Sequence, residues 1–216
     1  MNFIKMSIAS LNMKQGPEKQ KKKIFEKIDY IINERIINAD ETIVQRALSL
    51  FASADSGEED VVLTFGGVQL LQTVFAEAYE QKKRFRVIVA DAGPDFEGRE
   101  MVKRLSNVGI KVTYTLLSGI SFLIDKVTKV FIGASSVLSN GAVITKVGTS
   151  MMTTIAKRHG KPVVVFTETY KFSDKVHLDP INNNEIGDPA ALLSYSTIRA
   201  QKNVRSSHPS SFSAST

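Results

Sequence analysis

The chain contains no cysteine. That absence removes disulfides, thiolate metal ligands and a cysteine nucleophile at once, and it agrees with a reducing compartment; the cytoplasm is the expected location. Long hydrophobic runs are missing too. No apolar stretch approaches the roughly 18–20 residues that span a bilayer, so no membrane association is expected. The N-terminal MNFIKMSIASLNMKQGPEK is mildly apolar but carries no signal-peptide cleavage pattern. Histidine is scarce: His159, His177 and His208 share no metal-ligand spacing, and no metal is assigned. No serine sits in a GxSxG-like elbow, which leaves Ser-His-Asp catalysis unsupported. Neither GxGxxG nor GxxxxGK[ST] occurs, so there is no dinucleotide fingerprint and no Walker loop; no cofactor is expected.

What is present is the composition of an ordinary globular protein. With 216 residues, 43% hydrophobic and 23% charged, there is material for one sizeable core plus a smaller appended region. Lys and Arg number 28 against 22 Asp and Glu, a net charge of +6. Much of the excess is local, in Lys19, Lys21, Lys22 and Lys23 and in Arg199, Lys202 and Arg205. A basic face for nucleic acid and a solvated helix start with a basic tail both account for it. The second needs no partner, and direct nucleic-acid binding is not expected; salt-sensitive binding to RNA or DNA separates the two.

Apolar residues recur three and four apart over residues 18–52, through Ile24, Ile28, Ile31, Ile32, Ile36, Ile43, Ala47, Leu50 and Phe51. This predicts an amphipathic helix starting near Pro17, interrupted around 38–41 and ended by the Ala54, Asp55, Ser56, Gly57 turn. Short apolar runs then alternate with helical periodicity. Strands are predicted at 61–65, 85–90, 110–117, 129–132 and 162–166. Helices are predicted from Gly67 to about Lys83, over 99–108 closed by Gly109, around 120–123 and over 151–159, with a small-residue loop at 133–148. Continuous apolar strands alternating with helices predict an α/β fold, a Rossmann-like parallel sheet with helices on both faces, preceded by a partial helical N-terminal region. The expected domains are 1–56 (helical), 57–193 (α/β) and 194–216, a Ser-rich basic tail read as disordered. In such sheets ligands sit outside the carboxyl ends of the strands, where the Gly66-Gly67, 91–99, 133–136, Asn140-Gly141 and 146–149 loops fall. These glycines serve either backbone approach to an anion or tight turns alone.

Taken together the loops carry a resemblance. VLTFGG, DAGPDFEGREMVKRL, KVFIGASSVLSNGAVITKVGT, PVVVFTETYKF and NNEIGDP follow one another over roughly 57–190. They resemble the C-terminal region of the regulatory subunits of eukaryotic translation initiation factor 2B. ETYKF at 168–172 and SNGAVITKVGT at 139–149 are more similar to the delta type than to the alpha and beta types. The resemblance implies a non-catalytic subunit of a guanine-nucleotide exchange complex. It would assemble with the other subunits, above all a beta-like one, and help sense phosphorylated initiation factor 2 through the assembly. The same superfamily includes isomerases of methylthioribose 1-phosphate and ribose 1,5-bisphosphate, the alternative function. Those enzymes use a cysteine, an aspartate and an arginine where this chain has Gly66, Ser135 and Gly93. Proton transfer between adjacent sugar carbons needs an acid and a base over the substrate, and Gly66 offers no side chain. Asp91 and Glu97 lie nearby but suit a strand end and a helix N-terminus.

Gly66, Gly67, Asn140, Gly141 and Lys146 are therefore expected to form a vestigial phosphate pocket. Glu168, Tyr170, Lys171 and Phe172 are expected at a subunit interface, with Tyr170 and Phe172 on one side of an extended segment. The family's helical domain is longer than the segment before Gly57, and delta-type relatives continue past the GDP segment with a further helix and strand. The chain thus reads as a truncated or short form with an exposed sheet edge.

Overall fold

The computed structural model describes residues 17–52, 57, 59–177, 179, 184 and 186–188; the tail expected to be disordered lies outside them. The chain divides into two units, Met1–Ala92 with Phe96–Val176, and Gly93–Asp95 with His177–Thr216. All the helices and strands below belong to the first unit. The second holds none among its described residues.

From Pro17 to Leu50 the chain is helical without a break. Pro17–Tyr30 form α1, Ile31–Ile37 continue as a π-helical stretch, Asn38–Ala47 form α2, and Leu48–Leu50 close with a 3₁₀ turn. The expected interruption at 38–41 is not there, because Asn38 keeps helical angles (φ −64°, ψ −29°) and Asp40 and Glu41 occupy the first turn of α2. Acidic residues in a first turn favour the helix rather than break it. The irregularity lies one stretch earlier, in IINERII, where the wider π turn shifts the apolar stripe: Ile31 is buried while Ile32, Ile36 and Ile37 are exposed. The helix stops at Leu50, and Phe51 is extended (φ −87°, ψ 146°).

Strands β1 (Asp60–Phe65), β2 (Phe85–Asp91), β3 (Val112–Leu116), β4 (Lys129–Gly133) and β7 (Val163–Phe166) make one parallel sheet in the order β3-β2-β1-β4-β7. Between them run α3 (Gln69–Glu80), α4 (Gly98–Val108), the single turn α5 (Ile120–Leu123) and α6 (Thr149–Arg158). Strand residues alternate between two cores. Val62, Val87, Val89 and Phe131 pack under α2, α3 and α4, while Leu63, Ile88, Val130 and Ile132 pack against α5 and α6. Helices therefore cover both faces. The loop expected at 133–148 contains β5 (Ser136–Leu138) and β6 (Val143–Ile144), an antiparallel hairpin. It forms a second small sheet, because β8 (Phe172–Ser173) pairs in parallel with β5.

Two features fix the helical segment to the sheet. Phe51 enters a phenylalanine cluster, its ring 5.0 Å from Phe85 and 5.6 Å from Phe131, with Phe75 stacked on Phe131 at 6.2 Å. Burying each ring contributes roughly 1.5–3 kcal/mol. Beside it, buried Asp60 accepts the Ala52 N–H at 2.7 Å, the Thr128 hydroxyl at 3.0 Å and the Lys129 ammonium at 2.8 Å. Lys129 also donates to the Leu50 carbonyl at 2.6 Å. The chain end of the helix, β1 and β4 meet on one carboxylate.

Candidate functional site

The sheet order reverses between β1 and β4, and in doubly wound folds the crevice opens at that reversal, beyond the strand carboxyl ends. A pocket of about 310 Å³ lies there. Phe65, Ile132 and Phe166 supply apolar lining from three strand ends, and Ser135, Thr145, Lys146, Thr149 and Lys171 supply polar groups. A larger and more open groove of about 520 Å³, by Thr153, Lys157 and Pro162, sits instead at the amino end of β7. Its place in the fold argues against it as the binding site.

The structure brings Gly66, Gly67 and Lys146 together. Gly66 has φ +61° and donates its N–H to the Ala90 carbonyl at 2.8 Å. A Cβ there would lie 3.6 Å from the Lys146 stem. At Gly67 a Cβ would come within 2.9 Å of the Glu97 carbonyl oxygen, so only glycine lets this loop approach the start of α4. The Lys146 ammonium donates to the Gly67 carbonyl at 3.1 Å and is ion-paired with the Glu97 carboxylate. Asn140 and Gly141 are not part of this group. They turn the β5–β6 hairpin, where Asn140 Oδ1 accepts the Ala142 N–H at 3.1 Å and Gly141 takes φ +80°. Ser135 lines the pocket, its N–H donating to the Ile144 carbonyl at 2.8 Å.

Of the two carboxylates singled out from the sequence, Asp91 is buried and holds structure: Oδ1 accepts the Ala92 N–H at 3.0 Å and Oδ2 the Tyr114 hydroxyl at 3.1 Å. Glu97 immediately precedes α4 and faces Lys146. His159 Nδ1 lies 3.1 Å from Asp125 at the end of α6, and His177 belongs to the second unit. Among the described residues no three His, Cys, Asp or Glu side chains gather as a metal site, and no helix is long and apolar enough to cross a membrane.

A second constellation adjoins the pocket through Lys171. The segment after β7 is not extended: Thr169–Lys171 form a 3₁₀ turn, which sends residues two apart in different directions. Tyr170 and Phe172 consequently differ in environment. Phe172, on β8, is 62% exposed, whereas Tyr170 is half-buried and donates to Glu168 Oε1 at 3.2 Å. Glu168 is itself buried, with its Oε2 2.6 Å from the Lys171 ammonium. Burial, then the neighbouring Glu168 carboxylate that accepts its hydrogen bond, push the Tyr170 hydroxyl up to about 12. The Asp40 carboxylate of α2 adds to that shift. Asp40 is raised above its ordinary value by burial and by Glu168, against the opposing pull of Lys171, and its Oδ1 is shielded with no hydrogen-bond donor among the described residues. Sequence reasoning missed Asp40, which looks like any first-turn helix acid; only the fold brings it to Glu168.

The sequence profile of the Initiation factor 2 subunit family matches residues 1–211. The chain is similar to the translation initiation factor eIF2B subunit delta of Dictyostelium discoideum, 38% identical over 193 residues, covering 89% of this chain and 30% of the relative. It is similar to its Schizosaccharomyces pombe counterpart at 36% identity, covering 89% of this chain and 40% of the relative. The chain thus spans between 30% and 40% of the length of these curated relatives. In structure it is similar to the tetrameric eIF2B-beta2-delta2 complex from C. thermophilum, with a TM-score of 0.78 and 28% identity over 86% of this chain and 59% of the matched one. The first four motifs lie in order from β1 to β8 while NNEIGDP falls only partly within the described residues, the sheet has the fold of the matched structure, and the profile runs over nearly all the sequence: the chain belongs to the Initiation factor 2 subunit family.

Proposed function

We propose that this chain is a non-catalytic, delta-type regulatory subunit of an eIF2B guanine-nucleotide exchange assembly in the cytoplasm. It works by docking on a beta-type subunit and by contributing to the recognition of phosphorylated initiation factor 2. The observation that carries this reading is the likeness, over 86% of the chain, to a tetramer built from beta and delta subunits. The distribution of apolar surface supports it. Phe172 on β8, Val143 and Ile144 on β6, and Val147 and Met151 just beyond are all exposed, Val147 by 81%. Large apolar side chains left on one small sheet, the turn after it and the first turn of α6 are what a partner covers.

The absence of enzymatic function rests on side chains. Gly66 and Ser135 stand where the isomerases of the superfamily carry their reacting groups, and the nearby Asp91 is committed to Ala92 and Tyr114. The glycine loop with Lys146 is read as a remnant of the phosphate end of that pocket. The test is co-purification with a tagged beta-type eIF2B subunit, followed by native mass measurement. A stoichiometric heteromer is the expected result; a chain that never enters one overturns the proposal.

A further inference from the structure

We propose that Glu97 is a built-in competitor for the pocket's anion position, so that a phosphate reaches the remnant site only by displacing the chain's own carboxylate from Lys146. This deepens the reading of the pocket given above. The pocket is lined by groups that an oxyanion would use, Lys146 and Lys171 with Ser135 and Thr149, while the Thr145 hydroxyl already donates to the Gly133 carbonyl at 3.0 Å. Both cations are already committed internally. Lys171 is held by buried Glu168 at 2.6 Å, and Lys146 is held by Glu97 and by the Gly67 carbonyl. A carboxylate is an oxyanion, so Glu97 offers Lys146 the same kind of acceptor that a phosphate would.

The backbone aims Glu97 at this place. Its carbonyl packs so closely on Gly67 that a Cβ there would lie 2.9 Å away. The Met101 N–H closes the first turn of α4 onto the same carbonyl at 3.5 Å. The two committed lysines differ in how readily a ligand displaces their partners. Glu168 is buried and, besides its ion pair, accepts a hydrogen bond from Tyr170, whereas Glu97 and Lys146 have side chains 50% and 41% exposed. An exposed ion pair of this kind is weak. Glu97 therefore sets a threshold rather than a permanent seal, and a phosphate monoester must outcompete it.

The test uses the full chain and inorganic phosphate as probe, with binding followed by phosphorus NMR titration. Glu97→Gln keeps the side-chain shape and removes the charge, and it is expected to bind phosphate about three- to tenfold more tightly than the unchanged chain. Glu100→Gln removes a neighbouring acid that pairs with Arg104 instead, and it is expected to leave binding unaltered. Adding Lys146→Ala to Glu97→Gln is expected to abolish the gain. Equal affinity with and without Glu97, a gain that survives loss of Lys146, an equal gain from Glu100→Gln, or no binding to any variant each overturns the competitor role. Capture of the beta-type subunit, measured on the same preparations, reports separately on the subunit reading, so either idea can fail alone.

Discussion

Asp40 and Asp60 shift in opposite senses because burial and the Glu168 charge prevail at the first, whereas hydrogen-bond donors and Lys129 prevail at the second. At Asp60 burial alone would raise the carboxyl, but the Lys129 ammonium, the Ala52 N–H and the Thr128 hydroxyl hold it below its ordinary value of 3.8. A depressed acid stabilises the fold above its unfolded value, and the contribution is lost as pH falls through the lower folded one. Asp60→Asn is expected to cost about 3 kcal/mol at pH 7, since it strands a mostly buried lysine, with the difference narrowing in denaturant titrations below pH 3.8. At Asp40 the sign reverses. Burial and Glu168 raise it, so the fold favours the protonated form, and that stability is full below 3.8 and lost as pH rises through the folded value. Asp40→Asn should raise the Tm at pH 7 by about 2 °C and do nothing at pH 3. An unchanged Tm at pH 7 would show that Asp40 is relieved by solvent.

At the scale of elements, the parts that sequence revealed are those with a long enough period. The sheet strands were legible because apolar runs such as VVLTF and VFI are buried on both faces, and Gly109 at φ +99° ends α4 as a glycine after a helical stripe should. The β5–β6 hairpin was not, since strands of 3 and 2 residues are too short to display alternation. The turn at Thr169–Lys171 was hidden for another reason: Glu168 sets it from below, by drawing Tyr170 and Lys171 back onto one buried carboxylate. That difference separates two residues that sequence treated as a pair. Phe172→Ala should lower capture of a beta-type subunit about tenfold or more while leaving the Tm of the free chain within about 1 °C. Tyr170→Ala should instead lower the Tm, because it removes the donor from Glu168. If both variants behave alike in capture and melting, the turn does not divide their roles. In the core, Phe131→Ala should cost about 3–5 kcal/mol, since that ring touches Phe51, Phe75 and Phe166 at once.

For the molecule as a whole, the balance between its own core and a partner's surface decides how it behaves in solution. Among the described residues two cores fill the sheet faces, and Phe51 with the Asp60 network fastens the helical segment to the sheet. The chain also leaves apolar surface outside those cores: Phe122 is 85% exposed, Val147 81%, Phe172 62% and Met151 55%. β7 is an edge strand of the large sheet among the described residues, with Val165 37% exposed. Such edges and patches associate with whatever complements them. Alone, the chain should show concentration-dependent self-association in sedimentation. A partner that binds the folded state and not the unfolded one stabilises it by mass action, about 2.7 kcal/mol at a hundredfold excess over Kd. In a protein of this size that corresponds to a Tm rise of roughly 5–10 °C. Titrating in a beta-type eIF2B subunit should therefore raise the melting temperature by about that amount and convert the self-associated species to a defined heteromer. The Phe172→Ala variant should need about ten times more partner for the same rise. A Tm that ignores the beta-type subunit, with self-association undiminished, would mean that the exposed surface serves copies of this chain rather than the assembly proposed for it.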